Sequence, residues 1–454
     1  MNHATPWYQI VVNNTPLGPS TREWIDSVRL EIPADGAQIL SLQCQGWDPV
    51  RGTYRLVDER PFMPGNKVVF RCGYGAPDGG FGDASGATRG LFRMQHRNPD
   101  YNAQGVPVEF VGYDGLQKLM TNKQARVLKG YKRCSDAVTD LVSSPRGYGF
   151  EVGPVPAMAS LPPNIALAGA PSAPWSIEQT LEKKGDRIKA RGTTDWKWFK
   201  TMTEAYGFMY PKVRIDPYTF QEVFIWRPPA TGPDAWSQTF WYRGPGLQND
   251  LLNFRPHFDT ADTPAGIEIL GWDRKKGRPI RVCLRVTEGG EPDVTWDNDV
   301  VISEKIASAI RSGAKLRLSV LGQQETTVTL SQASKGGQSW QPEKNVLEAM
   351  TTDLIRGAPD LELADLIWLG KMWLSQREAA WWGADFEMEN QPGLHLLDVG
   401  QVHQFRGMAP MDEGYYIVTA LTHTWGQGKH HVVGKAQKLI ETTSPETVVQ
   451  QAMA

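Results

Sequence analysis

The first 115 residues are cut into short apolar or alternating runs: "YQIVVNN", "SVRLEI", "ILSLQC", "TYRLV", "KVVFRCGY", "GLFRMQHR" and "VPVEFVGYDG". Pro, Gly, Asn or Asp separates each run from the next. Runs this short give a helix no continuous face to bury. They suit strands of about five or six residues, the common unit of sandwiches and barrels. The region is therefore predicted to be all-β. Its most glycine-rich piece, "GYGAPDGGFGDASGATRG" (Gly73–Gly90), has neither the Lys-Ser/Thr pair of a phosphate-binding loop nor a helix after it. With strands on both sides, it is expected to be a long hairpin loop.

Helical spacing begins at Leu116. "DAVTDLVSS" (Asp136–Ser144) follows a Ser135 cap, and a Pro/Ala-rich linker follows it over Val152–Pro174. "TTDWKWFKTMTEAYGFMYPKV" offers Thr193, Thr194 and Asp195 as caps and Trp198, Phe199, Met202 and Tyr206 as one apolar face. The spacing predicts a helix over 193–207 that stops at Gly207 and feeds a strand. Beyond Gly244, "LLNFRP" and "AGIEILGWDRKKGRPIRVCLRVT" predict strands, the latter two joined by the basic turn Asp273–Arg278. Further helices are predicted near 300–312 and 361–385. The final strands run from Gly393 to Leu439, with a Gly-Gln-Gly turn after Trp425, and 443–454 reads as a loosely held polar tail.

At 454 residues, with 40% hydrophobic and 22% charged side chains, the chain can bury large cores. Lys and Arg number 48 against 50 Asp and Glu, and no like-charge run of five marks a nucleic-acid or membrane arm. Cys44, Cys72, Cys134 and Cys283 lie far apart without a C-x-x-C pair, so reduced thiols are expected rather than a zinc knuckle or disulfide framework. The opening "MNHATPWYQIVVNN" lacks a basic region leading into an apolar one, and no apolar run approaches about 18 residues. These features predict a chain made in a cytoplasm that spans no membrane. The 17 Trp residues are expected to fill cores or subunit interfaces, with a sugar-stacking platform as the alternative.

Catalytic patterns are missing: the chain has no G-x-S-x-G, no H-E-x-x-H and no G-x-G-x-x-G entering a helix. His430 and His431, adjacent on a predicted strand, must face opposite ways. His395, His403 and His423 could meet on one sheet as a trigonal metal site, although backbone-bonded neutral imidazoles are the ordinary state of half-buried strand histidines. The acid pairs Asp58-Glu59 and Asp412-Glu413 fall in turns. No enzyme, cofactor or metal is expected.

The segment "HLLDVGQVHQFRGMAPMDEGYYIVTALTHTW" resembles the phage tail hub proteins, a family that includes the late-control D protein of P2-like phages, the T-even baseplate hub and the hub portion of type VI secretion spikes. The family pattern is a strand leading to L-x-x-G-x-x-v-x-l-x-G, then a loop, then G-x-Y-x-V-x-x-v-x-H-x-w. Leu397, Gly400 and Gly407 match its first half, and Gly414, Tyr416, Val418 and His423 its second. Thr194, Asp195, Trp198 or Phe199, Ala205, Tyr206 and Gly207 are similar to the family's T/S-D-x-x-F-l-x-x-l-a-x-x-y-G helix. The linker and the Trp-rich pieces depart from the family, and no needle repeat or lysozyme-like module follows Leu439.

The resemblance implies a mainly β, α+β fold. It has a first tube-like β-barrel at 1–115, an α/β insertion at 116–243 and a second barrel at 244–442. Three chains would form a pseudo-six-fold ring, so a homotrimer is expected. The implied role is a structural, non-enzymatic baseplate hub in the virion, assembled in the host cytoplasm. It would join a six-fold tail tube to a three-fold central spike. The implied partners are spike, tube, tape measure and baseplate wedge proteins, with DNA only in transit and no membrane anchor. A contractile tail is the expected setting, and a near-neutral chain suits passage of DNA rather than its retention. His423 is then a structural mark of a barrel strand. Two alternatives stay open: a tail-associated cell-wall hydrolase or carbohydrate-binding β-protein, and the hub of a type VI or other contractile injection system.

Overall fold

The computed structural model describes residues 5–54, 60–75, 86–103, 105–131, 134–143, 148–152, 185–189, 191–203, 210–216, 221–227, 238–246, 248–258, 266–273, 278–286, 292–297, 315–316, 352–358, 382–410 and 412–438. Among these residues the chain is mainly β, with 25 strands and four short α-helices. The first part contains β1 (Pro6–Val12), β2 (Thr15–Pro16), β3 (Ile25–Pro33), β4 (Ile39–Gln45), β5 (Trp47–Asp48), β6 (Thr53–Tyr54), β7 (Lys67–Tyr74), β8 (Gly86–Pro99) and β9 (Pro107–Tyr113). The first helix, α1 (Pro19–Arg22), is a single turn. Six of the seven apolar runs read in the sequence coincide with these strands, and of the seventh, "TYRLV", only Thr53–Tyr54 lies among the described residues, as β6. The glycine-rich segment does lie between paired strands, since Gly73 faces Gly86.

The middle part carries α2 (Gln117–Thr121), β10 (Arg126–Tyr131), α3 (Cys134–Ser143), β11 (Glu151–Val152), β12 (Gly185–Lys189), α4 (Asp195–Thr203), β13 (Tyr210–Ile215) and β14 (Glu222–Arg227). β10 pairs with β12, and β14 lies between β11 and β13. Thr194 Oγ1 accepts the Lys197 amide and caps α4. Phe199 stands edge-on to Phe224 of β14, so the helix packs against that strand. Gly207, most of the Pro/Ala linker and the tail from 443 lie outside the described residues.

The last part contains β15 (Thr239–Trp241), β16 (Asn253–Phe258), β17 (Gly266–Asp273), β18 (Arg278–Val286), β19 (Pro292–Asp297), β20 (Lys315–Leu316), β21 (Thr352–Ala358), β22 (Trp382–Glu389), β23 (Val402–Arg406), β24 (Gly414–Gly426) and β25 (Lys429–Lys438). β17 and β18 form the expected hairpin across Asp273 and Arg278, within a five-stranded sheet ordered β19-β18-β17-β21-β20. The helix expected near 300–312 and most of the one expected over 361–385 lie outside the described residues. The end of the latter is corrected, because Trp382–Glu389 is a strand. Ala384, Phe386 and Met388 are buried while Asp385, Glu387 and Glu389 alternate with them. That period of two belongs to a strand.

Strands from both ends of the chain share one sheet, ordered β16-β22-β25-β24-β3-β4-β9-β8-β7-β1-β2, with β15 and β23 branching from β24. The joint is β24, whose second half pairs β3 from Ala420↔Pro33 to Gly426↔Ser27. One core serves both parts, running from Ile10, Phe70 and Phe110 to Phe386, Phe405 and Trp425. Among the described residues the sheet stays open between β16 and β2, and no closed barrel is formed. Gln427 and Gly428, at φ 50° and 73°, turn β24 into β25. Two left-handed central residues are what a tight hairpin between twisted strands demands.

Candidate functional site

A bulge decides where the C-terminal motif points. Between Val418 and Ala420, β24 carries one extra residue relative to β25. Tyr416 and Val418 face inward before it, and Leu421, His423 and Trp425 face inward after it. An uninterrupted pleat would have turned His423 to the other face. His423 is instead fully buried, stacked on Trp425 at 7° and on His430 of β25 at 15°.

The histidines form a chain. Tyr74, at the end of β7, keeps its phenol proton because burial pushes its pKa far above 10. Its hydroxyl lies 2.8 Å from His430 Nδ1, and where it donates to that nitrogen His430 carries its proton on Nε2, toward His423 Nδ1 at 3.1 Å. The His423 proton then sits on Nε2, near the Leu397 carbonyl but without a well-aligned hydrogen bond. His395, on the short 3-10 turn Leu394–Leu396, packs its ring 5.5 Å from Tyr74. Arg89 of β8 enters the same region and donates to the His395 carbonyl at 3.2 Å and the Leu397 carbonyl at 3.0 Å. Burial drives His423 and His430 well below the usual imidazole range, and His395 down to about 4. These are neutral imidazoles at pH 7.

His403 lies elsewhere. It pairs with Tyr416 across β23–β24, seven residues along β24 from His423. Its Nδ1 accepts the Gln238 amide at 3.2 Å, which places the proton on Nε2 facing Gln401 Oε1 at 3.1 Å. The three histidines singled out in the sequence therefore do not form one site. Among the described residues no three His, Cys, Asp or Glu side chains are grouped to hold a metal ion. His431 does face away from His430, toward Glu387 at 2.7 Å.

Next to this array, Asp398 is buried in a nest of cations. Its Oδ1 meets Lys212 Nζ at 3.0 Å and its Oδ2 meets Arg214 Nη2 at 2.9 Å, both from β13. Burial alone would raise its pKa, but Lys212, Arg89 and Arg214 together outweigh that and hold it well below the usual carboxylate range. Lys212 also donates to the Val399 carbonyl. The pair thus anchors the middle part of the chain to the loop that precedes β23. Gln401 Oε1 accepts the Asp398 amide at 2.8 Å, so one glutamine ties this nest to His403.

The other motif residues are structural too. Gly400 holds φ 84° and donates its amide to the Val418 carbonyl. Gly407 holds φ 86°, and a Cβ there would lie 1.9 Å from the Tyr242 carbonyl oxygen. The Gly407 and Met408 amides are both taken by Glu413 Oε1, which gives that turn acid its work. Gly414 opens β24, and the Tyr416 hydroxyl donates to the Asp412 carbonyl at 2.7 Å. Asp195, fully buried at the start of α4, accepts Arg126 Nε at 2.7 Å and the Tyr148 hydroxyl. Its neighbour Trp196 donates to Asp35 and docks α4 on the main sheet.

Tyr74, Arg89, Lys212 and Arg214 escaped the sequence reading. Nothing local marks them, because their partners lie between 184 and 356 residues away. Among the described tryptophans, Trp7, Trp196, Trp198 and Trp425 are buried. Cys44 and Cys72 are free and buried. No helix among the described residues is long and apolar enough to cross a membrane.

No protein-family model matches the chain, and no curated protein matches it. Solved structures do. A tail protein from Neisseria meningitidis MC58 superposes with a TM-score of 0.55 at 9% identity, covering 96% of each chain. The 43 kDa tail protein of prophage MuSo2 from Shewanella oneidensis gives a TM-score of 0.54 at 9% identity, covering 96% of this chain and 98% of its own. At such identity the likeness is one of fold, and it spans almost the whole chain.

Proposed function

We propose that this chain is a structural hub of a phage tail, a non-enzymatic homotrimer that joins the tail tube to the central spike. The observation that carries the reading is the end-to-end fold likeness to two proteins described as tail proteins. The buried polar groups support it, because His403, Asp398 and Glu413 of the C-terminal motif are used to fix backbone or pair charge within the protein. In this reading the strand groups at the two ends of the chain supply the two barrel-like units per subunit. Three copies give six units around a lumen, and a ring of that kind matches a six-fold tube to a three-fold spike. Tube, spike, tape measure and wedge proteins are its neighbours in a contractile tail. DNA only passes through, in keeping with a formal net charge of −2.

Light scattering on the purified chain, alone and with its spike protein, tests the proposal. A mass near three times 50.6 kDa, alone or on adding spike, is expected. A monomer indifferent to spike would sink the hub. Sacculi incubated with the chain should stay intact, and clearing that disappears on replacing a single Asp or Glu would make it a hydrolase instead.

A further inference from the structure

A small cavity lies where the three parts of the chain meet, lined by Ile32, Gly36, Gln38, Asp114, Lys212 and Val399 among others. The centre of a water-sized sphere has about 10 Å³ in which to move there. That is the lower bound for one resident water molecule. The chemistry of the lining is unusual for so small a space. Asp114 is 2% exposed and Gln38 6%. Asp114 Oδ1 accepts the Leu116 amide at 3.0 Å and the Gln38 backbone amide also approaches the carboxyl, yet Oδ2 makes no well-aligned hydrogen bond, and neither does Gln38 Oε1. Lys212 spends two of its three protons on Asp398 Oδ1 and the Val399 carbonyl, which leaves one donor.

We propose that this cavity is a binding site for a single structural water bridging Asp114 Oδ2, Gln38 Oε1 and Lys212 Nζ. A water molecule offers two donors and accepts through two lone pairs, so it serves both orphaned oxygens and takes the third ammonium proton. Two buried acceptors left unmet together cost more than immobilising the one water molecule that meets both. A metal ion fits poorly, because the Lys212 ammonium lies against the same space. Water also tolerates either state of Asp114, whose carboxyl burial pushes up to about 8, since it can accept from the acid as readily as donate to the carboxylate. The site links the loop after β3, the end of β9 and β13, and its existence does not depend on the hub reading.

High-resolution diffraction from the full chain tests it directly. One spherical peak at about 2.7–3.2 Å from each of the three named atoms is expected. An empty cavity would overturn the proposal, and so would a peak with five or more oxygens at roughly 2.0–2.6 Å, which is a cation. Oxygen-17 relaxation dispersion in solution supplies the second arm. Gln38→Met, close in size but without the amide, should show one long-lived water fewer than the unmodified protein, and an unchanged count would exclude the bridge.

Discussion

At the scale of single residues, the buried imidazoles dominate. His423 touches Trp425 and His430 and is wholly enclosed, so His423→Ala should cost roughly 1–3 kcal/mol of unfolding free energy, read from urea titrations. A substitution without effect would show the stack to be ornamental. The histidines also set an acid limit. His395 and His403 are held down to about 4 and about 3, and His423 and His430 lie well below 6.5, in each case chiefly by burial. The unfolded chain takes up these protons near pH 6.5 while the folded one refuses them, so stability is full above that value and falls as pH drops below it. Asp114 works in the opposite sense, being protonated in the folded state up to about 8. Four groups against one leave a net loss of stability as pH falls below about 6.5. Asp398 adds nothing in this window, since its contribution is lost only below about pH 4. Melting temperatures from pH 7 to 4.5 should fall steeply, and His395→Phe should flatten the fall. A profile independent of pH would mean the imidazoles are hydrated.

At the scale of elements, two contacts carry most of the consequence. The Phe386 ring of β22 lies over Gly434 of β25, its directly opposed partner, and a Cβ on Gly434 would meet that ring at 2.1 Å. Gly434→Val should therefore destabilise by about 1–3 kcal/mol, and Phe386→Leu in the same chain should recover part of it. Loss without recovery would place the strain elsewhere. The second contact is Asp398 with Lys212 and Arg214. Removing the carboxylate in Asp398→Ala takes the counter-charge away from Lys212 and Arg214, at a cost of roughly 3 kcal/mol given that both retain some solvent. The middle part of the chain should then become protease-sensitive before the main sheet does. Equal sensitivity throughout would show that this pair does not dock it.

At the scale of the molecule, β24 pairing β3 makes the two ends of the chain one cooperative body. Residues 5–121 expressed alone lose that partner strand and the Phe386, Phe405 and Trp425 side of the core. Such a fragment should bind hydrophobic dye and show no sharp melting transition. A cooperative melt would mean that its strands close on their own.

The sequence by itself determined the strands of the first part, the final hairpin and the cap of α4, because period-two burial, Gln427-Gly428 and Thr194 act over a few residues. The sequence left the face of His423 open, because the apolar run Tyr415–Val418 shows no single alternating phase. It misled at Trp382–Glu389, where a wide apolar stripe ahead of the strand hid a short alternation. Only the tertiary structure decided that His430 rather than His403 meets His423, that Tyr74 reaches His430, and that β13 supplies the cations for Asp398. Those partners are brought together by sheet order and by the bulge. Long-range pairing of this kind is set by the burial of the whole core, and no local stretch of residues encodes it.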